Sequence, residues 1–318
     1  MIKKLLVAIP AYNEEEKIGE VIQNIPGKLS GVSEVHILVI DDGSTDSTAK
    51  IAVDLGAKVI KNYFNMGYGV AFGKGLQYSL DNNFDLMVSI DGDAQFDPKD
   101  IPKLIEPIIE NYADLVTASR FINKNYYPRM PLLKFWGNKL MSILISKLIG
   151  KKFYDVSCGF RAYSQKTLLS LNLHGRFTFS QETFIDLSFK RLKIVEIPVK
   201  VKYFPSRTSK ISSNLFIYGV NTLKIILETY RDYRPFSFFS YIALSFFIIS
   251  IFFGSILLYT YISRGSFSPN IWSGFVGGTF LFISIIFFAV GFIADVVKRI
   301  RINQEKILYL LKRNTIKK

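Results

Sequence analysis

Through the first 120 residues, short apolar runs alternate with segments whose apolar positions recur at helical spacing. The runs lie at 5–9, 35–40, 58–60, 86–90 and 115–118, each bounded by turn residues, and read as strands. Between them, Ile18, Val21, Ile22 and Ile25 share one helical face, as do Ile101, Leu104, Ile105 and Ile108. Asp97 and Pro98 supply an N-cap and a first-turn proline for the second of these helices, and Pro107 is expected to distort it. Strands alternating with helices predict an α/β fold with a mainly parallel sheet covered on both faces. Ligands of such sheets bind at the carboxyl ends of the strands.

The pattern changes further along. Residues 121–195 are less regular and hold one candidate amphipathic helix, at 137–150; another strand is expected at 194–203. Over 215–233, Phe216, Val220, Leu223, Leu227 and Tyr230 fall on one face, with Lys224, Glu228 and Arg231 elsewhere. Such a helix suits either the membrane interface or the domain's own core. No charged residue lies between Arg234 and Arg264, and none between Arg264 and Asp295. The segments 236–262 and about 271–294 therefore each reach the roughly 20 apolar residues that cross a bilayer. A short loop joins them, so a hairpin with both ends on one side is expected. The resulting organisation is a domain over 1–210, an amphipathic helix over 211–235, the hairpin within 236–297 and a basic tail helix over 298–318.

Charge indicates which side those ends occupy. The net +14 divides into +3 for residues 1–195, +4 for 196–235, zero for 236–297 and +7 for 298–318. Lys and Arg gather on the cytoplasmic flank of membrane helices, which places the N-terminal domain and the tail in the cytoplasm. The excess is juxtamembrane and suits anionic head groups; no basic stripe interleaved with aromatics points to nucleic acid. The N-terminus does not read as a signal peptide, because its apolar run 5–9 gives way to Pro10 and three glutamates. The single cysteine, Cys158, rules out an intrachain disulfide and reads as a buried small residue. His36 and His174 lack ligand spacing.

Two acidic pairs alter this picture. Asp41 and Asp42 follow the second strand, and Asp91 and Asp93 follow the fourth, so both fall at the binding rim of the sheet. Asp91, Asp93 and Gln95 alternate, so in an extended segment they share a face. Hard oxygen donors of this kind suit Mg2+ or Mn2+ completed by water and phosphate. The glycine segment from Asn65 to Gly75 matches neither a phosphate-binding Walker loop nor a dinucleotide fingerprint, since Tyr68 and Phe72 occupy positions that need glycine. What remains is a tight turn opening a helix, with Asn65 and Gly67 able to approach a ligand.

The four stretches IPAYNE (9–14), IDDGSTD (40–46), NMGYG (65–69) and DGDAQ (91–95), in this order and spacing, resemble family 2 glycosyltransferases of the GT-A fold over roughly residues 1–205. With the segments SRF (119–121) and SCGFRAY (157–163) and the C-terminal hairpin, the chain is similar to the polyprenyl-phosphate branch, the dolichyl-phosphate mannose synthases and their bacterial relatives. The resemblance implies inverting transfer of a hexose from a nucleotide sugar, of the GDP-mannose or UDP-glucose type, to polyprenyl phosphate, dolichyl or undecaprenyl. Pro10, Tyr12, Glu14, Ile40 and Asp42 would line base and ribose, with Asn65 and Gly67 close by. Asp91, Asp93 and Gln95 would hold Mg2+ or Mn2+ against the diphosphate beside the Gly92 backbone, and Arg120 would contact phosphate oxygens. Arg207 and Lys210 occupy the place of a basic loop that closes over donor and acceptor phosphates, although no glycine precedes Ser209 as the family pattern has it. Relatives with two-span hairpins associate as tetramers, so a homo-oligomer is an expectation of the resemblance.

Glu182 falls near a catalytic aspartate of the wider family. With a hydroxyl acceptor, a glycerolipid or a lipid-linked saccharide, it would be the base; with a phosphate acceptor it contacts the sugar or organises the loop. Arg161 either orients the acceptor loop or forms a buried ion pair. The Gln-x-x-Arg-Trp motif of processive synthases is absent from the sequence. A non-catalytic membrane scaffold that binds nucleotide sugar is the remaining alternative, against which the intact Asp91, Asp93 and Gln95 set argues.

Overall fold

The structure, a computed structural model, describes residues 3–128, 130–172, 180–202, 220, 223, 224, 227, 228 and 230–316. The chain divides into two compact units, Met1–Ile226 with Leu308–Lys318, and Leu227–Ile307.

The first unit is built on β1 (Lys3–Ala11), β2 (Val32–Asp41), β3 (Lys58–Lys61), β4 (Leu86–Ser89), β5 (Leu115–Ser119), β6 (Arg161–Ser164) and β7 (Ile194–Pro198). They form one sheet in the order β3-β2-β1-β4-β6-β5-β7. Every pair is parallel except those of β6, which runs antiparallel to both β4 and β5. Leu5, Leu6, Val7 and Ile9 are fully buried, as a central strand covered on both faces requires. The helices are α1 (Ile18–Gln23), α2 (Thr48–Asp54), α3 (Tyr68–Asp81), α4 (Ile101–Ile109), α5 (Leu132–Ile149), α6 (Gln165–Ser170) and α7 (Ser180–Phe189). Ile18, Val21 and Ile22 of α1, and Ile101, Leu104, Ile105 and Ile108 of α4, are buried, as their spacing predicts. Asp97 caps the short turn leading into α4, its Oδ1 accepting from Lys99 N at 3.0 Å.

Three elements differ from the sequence reading. Helix α5 starts five residues before the expected 137, directly after Pro131, whose fixed φ suits a helix entrance. Strand β6 was hidden in the irregular region because it is four residues long and opens on an arginine. Strand β7 ends at Pro198, and pairing resumes only at an isolated bridge between Phe96 and Val201. Of the expected helix 215–233, residues 220, 223, 224, 227, 228 and 230–233 are described and helical; the rest, Phe216 included, lie outside the described residues.

The second unit contains α8 (Pro235–Arg264) and much of α9 (Ile271–Ile316). Their most apolar windows have mean hydropathy 2.4 and 2.6 and are almost wholly exposed, the reverse of a soluble core helix, so both are candidate membrane spans. They pack through Phe246, stacked on Phe280 and Phe287 at 5.8 and 5.6 Å, and through Ser284 Oγ, which donates to Ala243 O at 2.8 Å. At 46 residues α9 is about 69 Å long, more than twice the hydrocarbon thickness. It runs on through the basic tail because no glycine or proline interrupts residues 292–316.

Gly43, between β2 and α2, has φ +78°, and a Cβ there would lie 2.6 Å from the Phe64 carbonyl carbon. Gly56 has φ +81° with open space around it. Gly56→Ala therefore costs about 1 kcal/mol, the left-handed penalty alone. Gly43→Ala costs that plus the displacement of the 62–67 loop, roughly 2–4 kcal/mol in all. Thermal melts of the two variants should separate by several degrees, with Gly43→Ala lower; equal melting temperatures would refute the close approach.

Candidate active site

The rim is assembled from turns that lock one another. Ala11 pairs with Asp41 in the β1–β2 register, so the chain leaves both strands side by side. Asp42 N donates to Ala11 O at 2.8 Å. Beyond, Asn13 N donates to Ser44 Oγ at 2.9 Å, Glu14 N to Thr48 Oγ1 at 2.8 Å, and Thr45 N to Asn13 Oδ1 at 2.9 Å. Short polar side chains thereby satisfy backbone donors that no ladder can reach. Glu14 O accepts from Lys17 N and Ile18 N, starting α1. Pro10 is buried, while Tyr12 and Glu14 are half-buried at the rim. Ile40 is fully buried and faces Gly75 of α3.

Asp42 organises the next turn. Its Oδ1 accepts from Asn62 Nδ2 at 2.6 Å and Met66 N at 3.0 Å, and its Oδ2 from Gly67 N at 2.8 Å. Lys74 of α3 donates to Asn62 Oδ1. Asn65 Oδ1 also accepts from Gly67 N, at 3.1 Å, so Asn65 and Gly67 stand at the start of α3 beside the β2 end.

Asp91, Asp93 and Gln95 follow β4 with partial exposure, while Gly92, Ala94 and Phe96 between them are buried. The alternation expected of an extended segment is thus present, but a turn produces it: Ala94 has φ +56°, and Asp93 Oδ1 accepts from Gln95 N at 3.0 Å. Asp91 is held from the opposite side. Tyr68 Oη donates to its Oδ1 at 2.6 Å, and a Cβ on Gly159 would meet its Oδ2 at 3.2 Å. Burial, then the charges of Asp93 and Glu14, push the Asp91 carboxyl up to about 6, against the Tyr68 hydrogen bond and the Arg120 charge. Burial and Asp91 together drive the Tyr68 phenol well above its ordinary value, so it stays a donor.

Arg120 closes β5. Its Nε donates to Asp155 Oδ2 at 2.6 Å, its Nη2 to Asp155 Oδ1 at 2.9 Å and to Ser157 Oγ at 3.0 Å. Burial opposes ionisation of Asp155, but the guanidinium outweighs it and holds the carboxyl below the usual range. Glu196 of β7 fixes the same turn, accepting from Tyr154 N and Asp155 N. Cys158 is buried there, its thiol pushed up to about 12 by burial, which leaves it unreactive. Arg161 is fully buried, donates to Val156 O at 3.2 Å and lies 4.8 Å over the Phe184 ring of α7. Glu182 sits half-buried in the first turn of α7. His36 is exposed against Glu34 and Phe84.

Arg207, Lys210 and His174 lie outside the described residues. The approach to the first two is visible: Val199 N donates to Ser119 O at 3.1 Å and Lys202 N to Gln95 O at 2.9 Å, so the chain passes Arg120's strand and the Asp93–Gln95 turn just before that segment begins.

The donor set fits a hard divalent cation. Two carboxylates and an amide gather here, and burial and like charge disfavour ionisation of Asp91, a strain that a cation relieves. Among the described residues no group of three or more His, Cys, Asp or Glu side chains encloses a metal. An open position completed by water and phosphate is the arrangement such a set provides. Tyr68, Asp155 and Gly159 were not singled out from the sequence; the available signals were the tyrosine inside the NMGYG turn and the isolated acid that ends a forty-residue stretch without Asp or Glu.

Several known proteins are similar to this chain. A UDP-N-acetylglucosamine–dolichyl-phosphate N-acetylglucosaminyltransferase of Methanococcus voltae is 34% identical over 221 residues, 63% of this chain and 86% of that protein. An undecaprenyl-phosphate 4-deoxy-4-formamido-L-arabinose transferase of Klebsiella pneumoniae is 29% identical over 299 residues, 91% of this chain and 84% of the other. In fold, the chain is similar to glucosyl-3-phosphoglycerate synthase from Mycobacterium tuberculosis, solved with Mn2+, UDP-glucose and phosphoglyceric acid, at TM-score 0.56 and 24% identity, covering 73% of this chain and 79% of that one. The glycosyl transferase family 2 profile matches residues 6–170, from within β1 to the end of α6, the part that builds the acidic rim, and the chain belongs to that family.

Proposed function

We propose that the protein transfers a hexose from a nucleotide sugar to polyprenyl phosphate, with inversion, at the cytoplasmic face of a membrane that α8 and α9 span. The observation that carries this reading is the Asp91 and Asp93 pair at the rim, within the field of Arg120 and beside the β1 and β2 turns. The acceptor class is supported by the names of the relatives, which act on dolichyl and undecaprenyl phosphates. The apolar hairpin supports an acceptor whose tail stays in lipid.

Pro10, Tyr12, Glu14 and Asp42 receive the nucleoside, and Asp91, Asp93 and Gln95 hold the divalent cation, Mg2+ or Mn2+. When bound, that cation neutralises charge growing on the departing nucleoside diphosphate. Arg120, kept in orientation by Asp155, adds its field to the same oxygens. A phosphate acceptor is already ionised near neutral pH, with a second pKa of about 6, so no strong base is needed. Arg207 and Lys210 draw the two anionic groups together, and positioning supplies much of the remaining acceleration.

The test is release of nucleoside diphosphate by the reconstituted protein given polyprenyl phosphate, a divalent cation and a panel of nucleotide sugars. Release with no member of the panel sinks the proposal. Asp93→Ala should lower turnover by about a hundredfold or more, while the melting temperature of the free protein changes little. Glu182→Gln should retain most activity, since a phosphate nucleophile needs no base; near-total loss favours a hydroxyl acceptor instead.

The Arg120 and Asp155 pair predicts a pH signature. Asp155 has a folded pKa below its unfolded one, so its stabilisation is present above about pH 4 and is lost as pH falls through the folded value. Arg120→Met strands a buried carboxylate and should cost roughly 3 kcal/mol at pH 7. Protonating Asp155 removes that penalty, so melting curves of variant and wild type should converge on acidification towards pH 4. A gap independent of pH contradicts the assignment.

A further inference from the structure

A phenol is an odd companion for a carboxylate that is to hold a cation. Tyr68 Oη donates to Asp91 Oδ1 at 2.6 Å, in the range of short charge-assisted bonds, and so draws charge from an oxygen that a metal could use. The fold fixes this contact from below. Tyr68 opens α3 directly after Gly67, which has φ +95° and whose N donates to Asp42 Oδ2. Further along α3, Gly75 packs so closely on the sheet that a Cβ would meet Ala8 and Ile40 at 3.3 Å. The helix is pinned at both points, and its first side chain reaches the end of β4 from a rigid base.

The opposite side of the pair is equally specific. Gly159, ahead of β6, lies where a Cβ would come within 3.1 Å of Tyr68 Oη, 3.3 Å of Asp91 Oδ1 and 3.2 Å of Asp91 Oδ2. Its backbone is not among the left-handed glycines, so it is space that keeps the position bare. Asp93 is engaged in a similar way, its Oδ1 accepting from Gln95 N at 3.0 Å. Each of the two carboxylates therefore has one oxygen engaged within the protein.

That engagement bears on which cation the rim accepts, given the proposal above that Asp91, Asp93 and Gln95 hold one. Mg2+ and Mn2+ are served by one or two carboxylates that each give a single oxygen, with water and phosphate completing the shell. Ca2+ is larger, takes roughly six to eight oxygens and draws on chelating carboxylates, so selectivity follows ligand number. Chelation through both oxygens of Asp91 would come at the cost of the Tyr68 bond.

We propose that Tyr68 is a specificity-determining residue for the cation: by holding Asp91 Oδ1 it confines that carboxylate to a single donor oxygen, Oδ2, and so discriminates against Ca2+. Gly159 keeps the space beside Oδ2 open.

Binding of the ions alone, without turnover, tests this. The full-length protein takes up Mn2+, followed by loss of the free-ion paramagnetic resonance signal, and Ca2+ is added as competitor. Asp93→Ala supplies the blank for uptake elsewhere on the chain. Wild type should retain Mn2+ against excess Ca2+. In Tyr68→Phe, which keeps the ring and removes only the hydroxyl, the Ca2+ concentration for half displacement should fall about tenfold. Gly159→Ala, which crowds Oδ2, should weaken Mn2+ binding about fivefold. An unchanged half-displacement concentration in Tyr68→Phe, with Mn2+ still bound, overturns this inference and leaves the metal site standing. Unchanged Mn2+ affinity in Gly159→Ala overturns the assignment of Oδ2 as the donor. Wild type that takes up no more Mn2+ than Asp93→Ala overturns the inference together with the metal site itself.

Discussion

The direction of a single short strand governs the site. β6 enters the sheet where β4 and β5 leave it, because it runs against both, with Arg161 opposite Ser89 and Thr117. The residues that precede it, Asp155 to Phe160, are therefore delivered to the carboxyl edge, where a purely parallel sheet has only outgoing loops. Gly159 comes against the Asp91 carboxylate, and Asp155 takes hold of Arg120. Had β6 run parallel, those groups would lie at the far edge, and Asp91 would lack its backstop.

That arrangement sets a balance of charge at the rim. Asp91 is crowded by Asp93 and Glu14 and partly relieved by Arg120, while Arg120 itself is anchored by Asp155. Asp155 in turn is fixed through its backbone by Glu196, whose own carboxyl burial pushes up. The chain of acid, base, acid runs across β4, β5 and β7, so the field at Asp91 depends on strands that do not touch it. A buried pair of this kind contributes little net stability, but leaving either member alone is costly, which keeps Arg120 in one orientation.

Much of this was legible in the sequence and some was not. The strands β1 to β5, the faces of α1 and α4, and the two acidic pairs at the carboxyl edge follow from apolar runs and spacing, since burial on both faces demands continuous apolar residues. The alternation of Asp91, Asp93 and Gln95 has a different local cause from the extended segment that the spacing suggests: the left-handed Ala94 makes it in a turn. β6 and Asp155 escaped because their signals are tertiary. A four-residue strand beginning with a buried arginine has no periodicity, and the worth of Asp155 exists only once β5 brings Arg120 beside it. In the sequence Tyr68 stands out only as an obstacle to a phosphate loop, whereas its hydroxyl is the donor that steadies Asp91.

The distribution of charge along the chain joins these levels. Acids gather in the turns after β1, β2 and β4, while cations fill the acid-free stretch 115–154, the approach to the spans and the tail. In the second unit, Arg301 of α9 reaches Asp232 at 3.6 Å and Glu305 at 3.3 Å and lies 4.2 Å over the Tyr233 ring, so even there cations are pinned where the apolar helices end. A mixed surface would serve solubility equally well. Segregation instead places the acids at the rim where the proposed function would receive a cation and a diphosphate, and the bases beside the candidate spans. The two populations attract ligands of opposite sign to different parts of one chain, as an enzyme that joins a soluble donor to a lipid acceptor requires.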